Sequence, residues 1–244
     1  MTEPETNRIQ DIQQKIKAIQ LRVAESAARA GRTPASVTLL AATKTRTCDE
    51  VRAAIDAGID AVGENRVQEL RDKLALHAYD GCPLHLIGPL QTNKVKYLIG
   101  HVAMIHSVDS THLADCIQQL SSRADVQTDV LIEVNIGGEA SKSGVTPTDA
   151  QRLAEHLLTL PAVRLRGLMT IPPVGEEPRR YFAAMREQFE QMRQNLPTTF
   201  DTLSMGMSRD FETAIEEGAT IVRVGSAIFG ARPANPVRKA EEQA

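Results

Sequence analysis

The sequence predicts an α/β fold: a single (β/α)8 barrel of the TIM type, preceded by one extra N-terminal helix. Three observations carry that expectation. Eight short β-rich runs recur along the chain, the segments between them show helical periodicity or helix caps, and 244 residues suit one alternating domain with a substantial core. The boundaries read as a helix over 5–30, a barrel over 37–232 and a frayed tail over 233–244.

Taken in order, residues 5–30 read as an amphipathic helix, because Ile9, Ile12, Ile16, Ile19 and Val23 recur at helical spacing among polar residues, and Gly31 stops it. The pattern then switches to strands. They are VTLLAAT (37–43), IDAVGEN (59–65), PLHLIG (83–88), VAMIHSV (102–108), DVLIEVNI (129–136), VRLRGLMTI (163–171), FDTLSMG (200–206) and TIVRVGS (220–226). Between them lie helical segments such as Thr47 to Ala57 and Pro147 to Leu160. An open doubly wound sheet is the alternative, but no glycine-rich dinucleotide fingerprint follows the first strand.

Bulk composition narrows the function. A net charge of −3 from 28 basic and 31 acidic residues gives no electrostatic footprint for nucleic acid. No apolar run reaches the roughly 20 residues of a spanning helix, and MTEPETNRIQ has neither the basic flank nor the apolar stretch of a signal peptide, so a cytoplasmic protein is expected. Cys48, Cys82 and Cys116 fit a reducing compartment. Their equal spacing is not a repeat, since their neighbours do not match, and no pair has metal-ligand spacing. His101, His106 and His112 form no ligand set with nearby carboxylates, so no metal is expected.

Active sites of this fold lie at the C-terminal ends of the strands. There the first run ends in Lys44, whose amine, projected into the mouth and desolvated, would be less protonated and able to condense with an aldehyde. By itself, a lysine at a strand end is more often a solvated one. At the far end of the chain, SMGMS and RVGS follow the seventh and eighth strands, where such barrels commonly hold a phosphate. Ser208 and Ser226 offer hydroxyls, and Gly225 lets backbone approach an anion. Arg223 alternates with Val222 and Val224 and so faces the barrel interior if they face the helices. Beside a pyridine nitrogen it would donate a hydrogen bond and leave that nitrogen unprotonated. Pairing of Arg223 with an inward carboxylate such as Glu64 or Glu133 stays open.

The runs AATKT, GENRVQE, HLIGPLQTNKVK, IHSVDS, VNIGGEASKSGV, GLMTI, LSMGMSRDFETAI and TIVRVGSAIFGAR resemble the pyridoxal phosphate homeostasis protein family, also described as alanine racemase N-terminal-domain-like. The resemblance runs from about residue 10 to Arg232. It implies a barrel that binds pyridoxal 5'-phosphate (PLP) through Lys44 as a Schiff base, with the phosphate held by Ser208, Gly225 and Ser226. By the same resemblance Arg223 faces the pyridine nitrogen, as the matching arginine does in the related racemases. Asn65 and His85 fall at family positions near the ring, and Met205 lines the pocket. Two departures stand out: Thr43 where the family often has serine, and Arg46 where many members have a second lysine.

Three functions compete. A non-catalytic PLP carrier that regulates supply to PLP-dependent client enzymes is favoured. A PLP-dependent amino-acid racemase needs a second acid or base opposite the lysine, which in the related racemases is a tyrosine from a separate β-domain. Tyr79, Tyr97 and Tyr181 all fall in presumed helices or their flanks, and the chain ends about where the barrel closes. A Schiff-base aldolase acting on a sugar phosphate is the third. Without the racemase β-domain, a monomer is expected.

Overall fold

In the computed structural model, which describes residues 3–231, eight parallel strands close into a barrel in chain order. They are β1 (Thr38–Ala42), β2 (Ala61–Glu64), β3 (Leu84–Leu86), β4 (Met104–Val108), β5 (Thr128–Val134), β6 (Val163–Thr170), β7 (Thr202–Met207) and β8 (Ile221–Val224). β1 pairs with β8, Leu40 standing beside Arg223, and this pairing closes the ring. Six strands fall inside a β-rich run of the sequence, and β5 and β7 each extend one residue beyond theirs, to Thr128 and Met207. The tail over 233–244 lies outside the described residues.

The helices are α1 (Glu3–Arg29), α2 (Cys48–Asp56), α3 (Val67–Leu74), α4 (Thr111–Arg123), α5 (Pro147–Leu157), α6 (Pro178–Arg193), α7 (Phe211–Glu216) and α8 (Ser226–Phe229). Local chemistry starts several of them. Thr47 and Glu50 form a reciprocal capping box on α2, Ser110 caps α4, and Thr146 caps α5 ahead of Pro147. Between β3 and β4 the connection is a 3-10 helix, Thr92–Tyr97, in place of the α-helix the repeat pattern suggests. α1 buries Ile12, Ile16, Ile19 and Val23 against the rest of the core. Arg22 and Arg29 on it pair with Glu212 and Glu216 of α7, and Arg8 pairs with Glu50 of α2, so the added helix straps the closing seam. Among the described residues no helix is long and apolar enough to cross a membrane.

Two apolar layers follow from strand alternation. Leu39 and Ala41 of β1, with Val222 and Val224 of β8, pack outward under the helices. Leu40, Ala42 and Ile221 turn inward, joined by Ala61, Ile87, Met104, Leu131 and Met169. The same alternation carries Lys44 inward at the end of β1 and Arg223 inward on β8. Polar side chains share the interior: His85, His106, Ser204 and Arg223 are all buried. On β7 the register against β8 shifts between Ser204 and Met207, around Gly206 at φ +89°. A Cβ there would stand 2.5 Å from that of Ala214, so both conformation and space require glycine.

Candidate functional site

At the C-terminal mouth of the barrel a cavity of about 480 Å3 is bordered by Lys44, Met207, Ser208, Arg223, Gly225 and Ser226. The positions singled out on β1, β7 and β8 thus meet in one place. Each is fixed by a different device.

Lys44 sits at the end of β1 on a braced backbone. The amide of Thr43 donates to the Gly63 carbonyl at 2.9 Å, and its hydroxyl donates to Glu64 Oε1 at 2.7 Å. Glu64 Oε1 also accepts from Lys73 Nζ at 2.6 Å and from the Tyr79 hydroxyl at 3.0 Å. Burial, reinforced by the Glu64 carboxylate, pushes the Tyr79 phenol far up, so it remains a donor. Lys73 Nζ reaches back to the Thr43 carbonyl at 2.7 Å, tying the helical layer to the residue before Lys44. Immediately after Lys44, Thr45 adopts φ 63°, a costly conformation for a β-branched residue, and its amide donates to Glu69 Oε2 at 2.8 Å. Thr43 therefore does through its hydroxyl what serine would do.

On the adjoining wall, after β7 and β8, Ser208 Oγ accepts the backbone N–H groups of Gly225 at 3.1 Å and Ala227 at 3.2 Å. Gly225 passes so close to β1 that a Cβ would lie 3.3 Å from the Ala42 carbonyl oxygen. Asp210 Oδ1 accepts from the Met207 amide at 2.6 Å, and burial raises this carboxyl above its ordinary range. Ser226 is exposed at the rim.

Arg223, on β8 beside Leu40 of β1, borders the same cavity and is 4% exposed. It donates to Ser204 Oγ at 2.5 Å and to the Thr170 carbonyl at 2.9 Å. Burial lowers its pKa to about 10, against the opposing pull of Glu133 and Asp210, and the guanidinium stays charged at neutral pH. Its hydrogen bonds go to neutral oxygens. Glu64 is committed to Lys73, and Glu133 accepts from Ser143 at 2.7 Å.

Three positions lie elsewhere. Met205 is fully buried in the layer between barrel and helices, because Ser204 takes the inward direction on β7 and its neighbour must point out. After the Gly206 irregularity it is Met207 that borders the cavity. His85, in the middle of β3, points into the barrel but borders a cavity at the opposite, N-terminal end. Asn65 follows β2 and lines a separate cavity with Arg66, Lys94 and Tyr97, its Oδ1 buried without a hydrogen-bond partner among the described residues. Two cations at the main cavity were not assigned to it from sequence. Arg209 follows Ser208 directly, and Arg46 is 8% exposed, bonded to the Gly230 carbonyl at 2.9 Å and stacked over Phe229.

The chain matches the family model described as alanine racemase, N-terminal domain, over residues 14–233. A pyridoxal phosphate homeostasis protein from Aquifex aeolicus is 46% identical over 223 residues, spanning 90% of this chain and 97% of that protein. The protein of the same name from Pseudomonas aeruginosa is 44% identical over 224 residues, spanning 91% of this chain and 96% of that one. This chain belongs to the pyridoxal phosphate homeostasis protein family. Among solved structures, PipY of Synechococcus elongatus with PLP bound superposes on this family member with TM-score 0.74 at 35% identity, covering 85% of this chain and 100% of that one. A protein from Bifidobacterium adolescentis gives TM-score 0.83 at 40% identity over 94% of this chain and 97% of that one. Alanine racemase from Corynebacterium glutamicum shares the fold, with TM-score 0.67 at 17% identity over 93% of this chain and 62% of that one.

Proposed function

We propose that this chain is a non-catalytic PLP-binding protein of PLP homeostasis, in which Lys44 holds the cofactor as a Schiff base. One observation carries the reading: a strand-end lysine, an inward arginine and a serine that gathers two backbone N–H groups border the same cavity. That donor set fits an aldehyde bearing a phosphate and a ring nitrogen. Bound PLP supplies a carbonyl that condenses with amines, releasing water, and a pyridine ring that accepts a hydrogen bond.

Lys44 supplies the amine. Ser208, Gly225 and Ser226 take the phosphate, with Arg209 and Arg46 adding positive charge at the rim. Arg223 donates to the ring nitrogen. Being a permanent cation, it does not also hand over a proton, so the ring remains a weak electron sink. None of the tyrosines is placed to act opposite Lys44. Tyr79 is turned to Glu64, Tyr97 lies under Arg71, and Tyr181 on α6 bonds Glu176. This placement favours a carrier over a racemase; a cytoplasmic monomer that serves PLP-dependent client enzymes completes the reading. Met205, His85 and Asn65 border none of the cavity assigned here to the cofactor, and the reading rests on Lys44, Ser208, Arg223, Gly225 and Ser226.

The test is borohydride reduction of the PLP-loaded protein followed by peptide mapping. The adduct is expected on Lys44, and Lys44→Ala should fold but stay colourless. An adduct on another lysine with Lys44 unmodified overturns the assignment.

A further inference from the structure

Arg223 is the upper end of a chain of hydrogen bonds that runs through the inside of the barrel. Its guanidinium lies 2.5 Å from Ser204 Oγ on β7. The same oxygen is 3.1 Å from His106 Nδ1 on β4. His106 Nε2 is 2.9 Å from His85 Nδ1 on β3. His85 in turn borders a cavity of about 520 Å3 at the N-terminal end, whose walls include Asp60, Arg166 and Asp201. Four side chains from four strands thus connect the floor of the ligand cavity with the opposite end of the barrel. Ser204 and His106 are fully buried and His85 is 6% exposed.

The direction of every bond follows from the arginine. A guanidinium has donors only, so Ser204 Oγ must accept from it. The hydroxyl then has one proton to place, and the acceptor in reach is His106 Nδ1. With Nδ1 accepting, neutral His106 carries its proton on Nε2 and donates to His85 Nδ1. His85 likewise carries its proton on Nε2, directed away from His106. The opposite arrangement, with both histidines protonated on Nδ1, leaves the proton of a fully buried hydroxyl without an acceptor, which costs about 1 to 3 kcal/mol. Neutral rings are what the surroundings favour: burial lowers the pKa of both histidines, and the neighbouring guanidinium adds to the effect on His106.

We propose that Ser204, His106 and His85 are positioning residues: a one-directional relay that fixes Arg223 and commits its outward N–H groups to an unprotonated ring nitrogen. This rests on the PLP reading of the mouth, but the relay is defined without the ligand. The hydrogen bonds that link its members run between β3, β4, β7 and β8 inside the barrel.

The first measurement uses ligand-free protein labelled with 15N in its histidine rings. Long-range proton–nitrogen correlation is expected to show His85 and His106 as neutral Nε2–H tautomers; Nδ1–H tautomers overturn the relay. The second uses PLP labelled at the pyridine nitrogen. Ser204→Ala, a small change that keeps the packing, is expected to move the ring-nitrogen resonance and to weaken PLP binding about tenfold, the scale of one hydrogen bond to a charged group. His106→Leu should do the same, while His106→Gln, whose amide again offers one acceptor and one donor, should restore both readings. Wild-type resonance and affinity in both Ser204→Ala and His106→Leu overturn the proposal. Failure of the wild type to take up PLP would refute the reading of the mouth, and the tautomers of the ligand-free protein would still decide the relay.

Discussion

Replacing Lys73 by methionine removes the only cation bonded to Glu64 among the described residues. Glu64 is fully buried; three hydroxyl or ammonium groups converge on its Oε1, and its Oε2 has no hydrogen-bond partner among the described residues. Methionine fills the space of the lysine stem but leaves the carboxylate uncompensated, a change that costs about 3 to 5 kcal/mol in comparable buried pairs. For a chain of this size each kcal/mol moves the midpoint by about 2 to 4 °C, so Lys73→Met should melt roughly 6 to 20 °C below wild type in calorimetry. Arg152→Met is the control. Its pair with Asp149 is solvent-exposed, and removal should cost no more than about 0.5 kcal/mol. Adding Glu64→Gln to Lys73→Met removes the stranded charge while keeping an acceptor for Thr43 and Tyr79, and should recover much of the loss. Because Lys73 also holds the Thr43 carbonyl, PLP affinity should fall in Lys73→Met and not in the control. A loss below about 1 kcal/mol in Lys73→Met would show that no buried charge needs compensation there, and the bracing argument for Lys44 would fail with it.

Stability should decline in acid through the interior histidines. Burial holds His85 at about 4 against an ordinary 6.5, so the unfolded chain binds the proton first. The contribution is fully present above about pH 6.5 and is lost as pH falls toward 4, amounting to about 3 kcal/mol for His85. His106, lowered by burial and by its neighbours His85 and Arg223, deepens the decline, while the raised carboxyls of Glu133 and Asp210 act the other way. Urea melts of wild type and His85→Gln at neutral and acid pH isolate the term, and parallel profiles would refute it. At the mouth, Ser208→Ala with Ser226→Ala should weaken PLP binding by about 2 to 4 kcal/mol in a fluorescence titration; unchanged affinity would move the phosphate elsewhere. Incubated with single-enantiomer amino acids, the PLP-loaded protein should show no turnover approaching about one per second, and faster racemisation that vanishes in Lys44→Ala would make it an enzyme.

Periodicity made the barrel legible because both of its periods are physical. The two-residue alternation on VTLLAAT and TIVRVGS separates Leu39 and Val222, under the helices, from Leu40 and Ile221, inside the ring, and the same alternation delivers Lys44 and Arg223 to the interior. Capping chemistry made the helix starts at Thr47 and Thr146 readable. The third connection departed from the pattern: TNKVKY forms a 3-10 helix that buries Val95 and leaves its two lysines near the last turn.

The mouth was legible only where the strands are regular. Met205 illustrates the limit: the family resemblance names it, and alternation along LSMGM does not say which methionine faces the cavity. The shift at Gly206 resets the alternation, so Ser204 faces in, Met205 out, and Met207 the cavity. For His85, named by the same resemblance, the limit is a different one. Alternation correctly turns it into the barrel, yet a three-residue strand gives no measure of depth, and depth decides whether an inward side chain meets the ligand or the opposite end. That distinction changes its chemistry. A histidine at the mouth would exchange protons with solvent, whereas His85 is bonded to His106, its pKa lowered by burial, and linked to the mouth through Ser204 and Arg223. The arginine is therefore the point at which the hydrogen bonds inside the barrel reach the cavity. Its charge is tolerated in the interior because neutral acceptors from β6 and β7 receive it, and those acceptors are fixed by strands whose ends also carry the cavity wall.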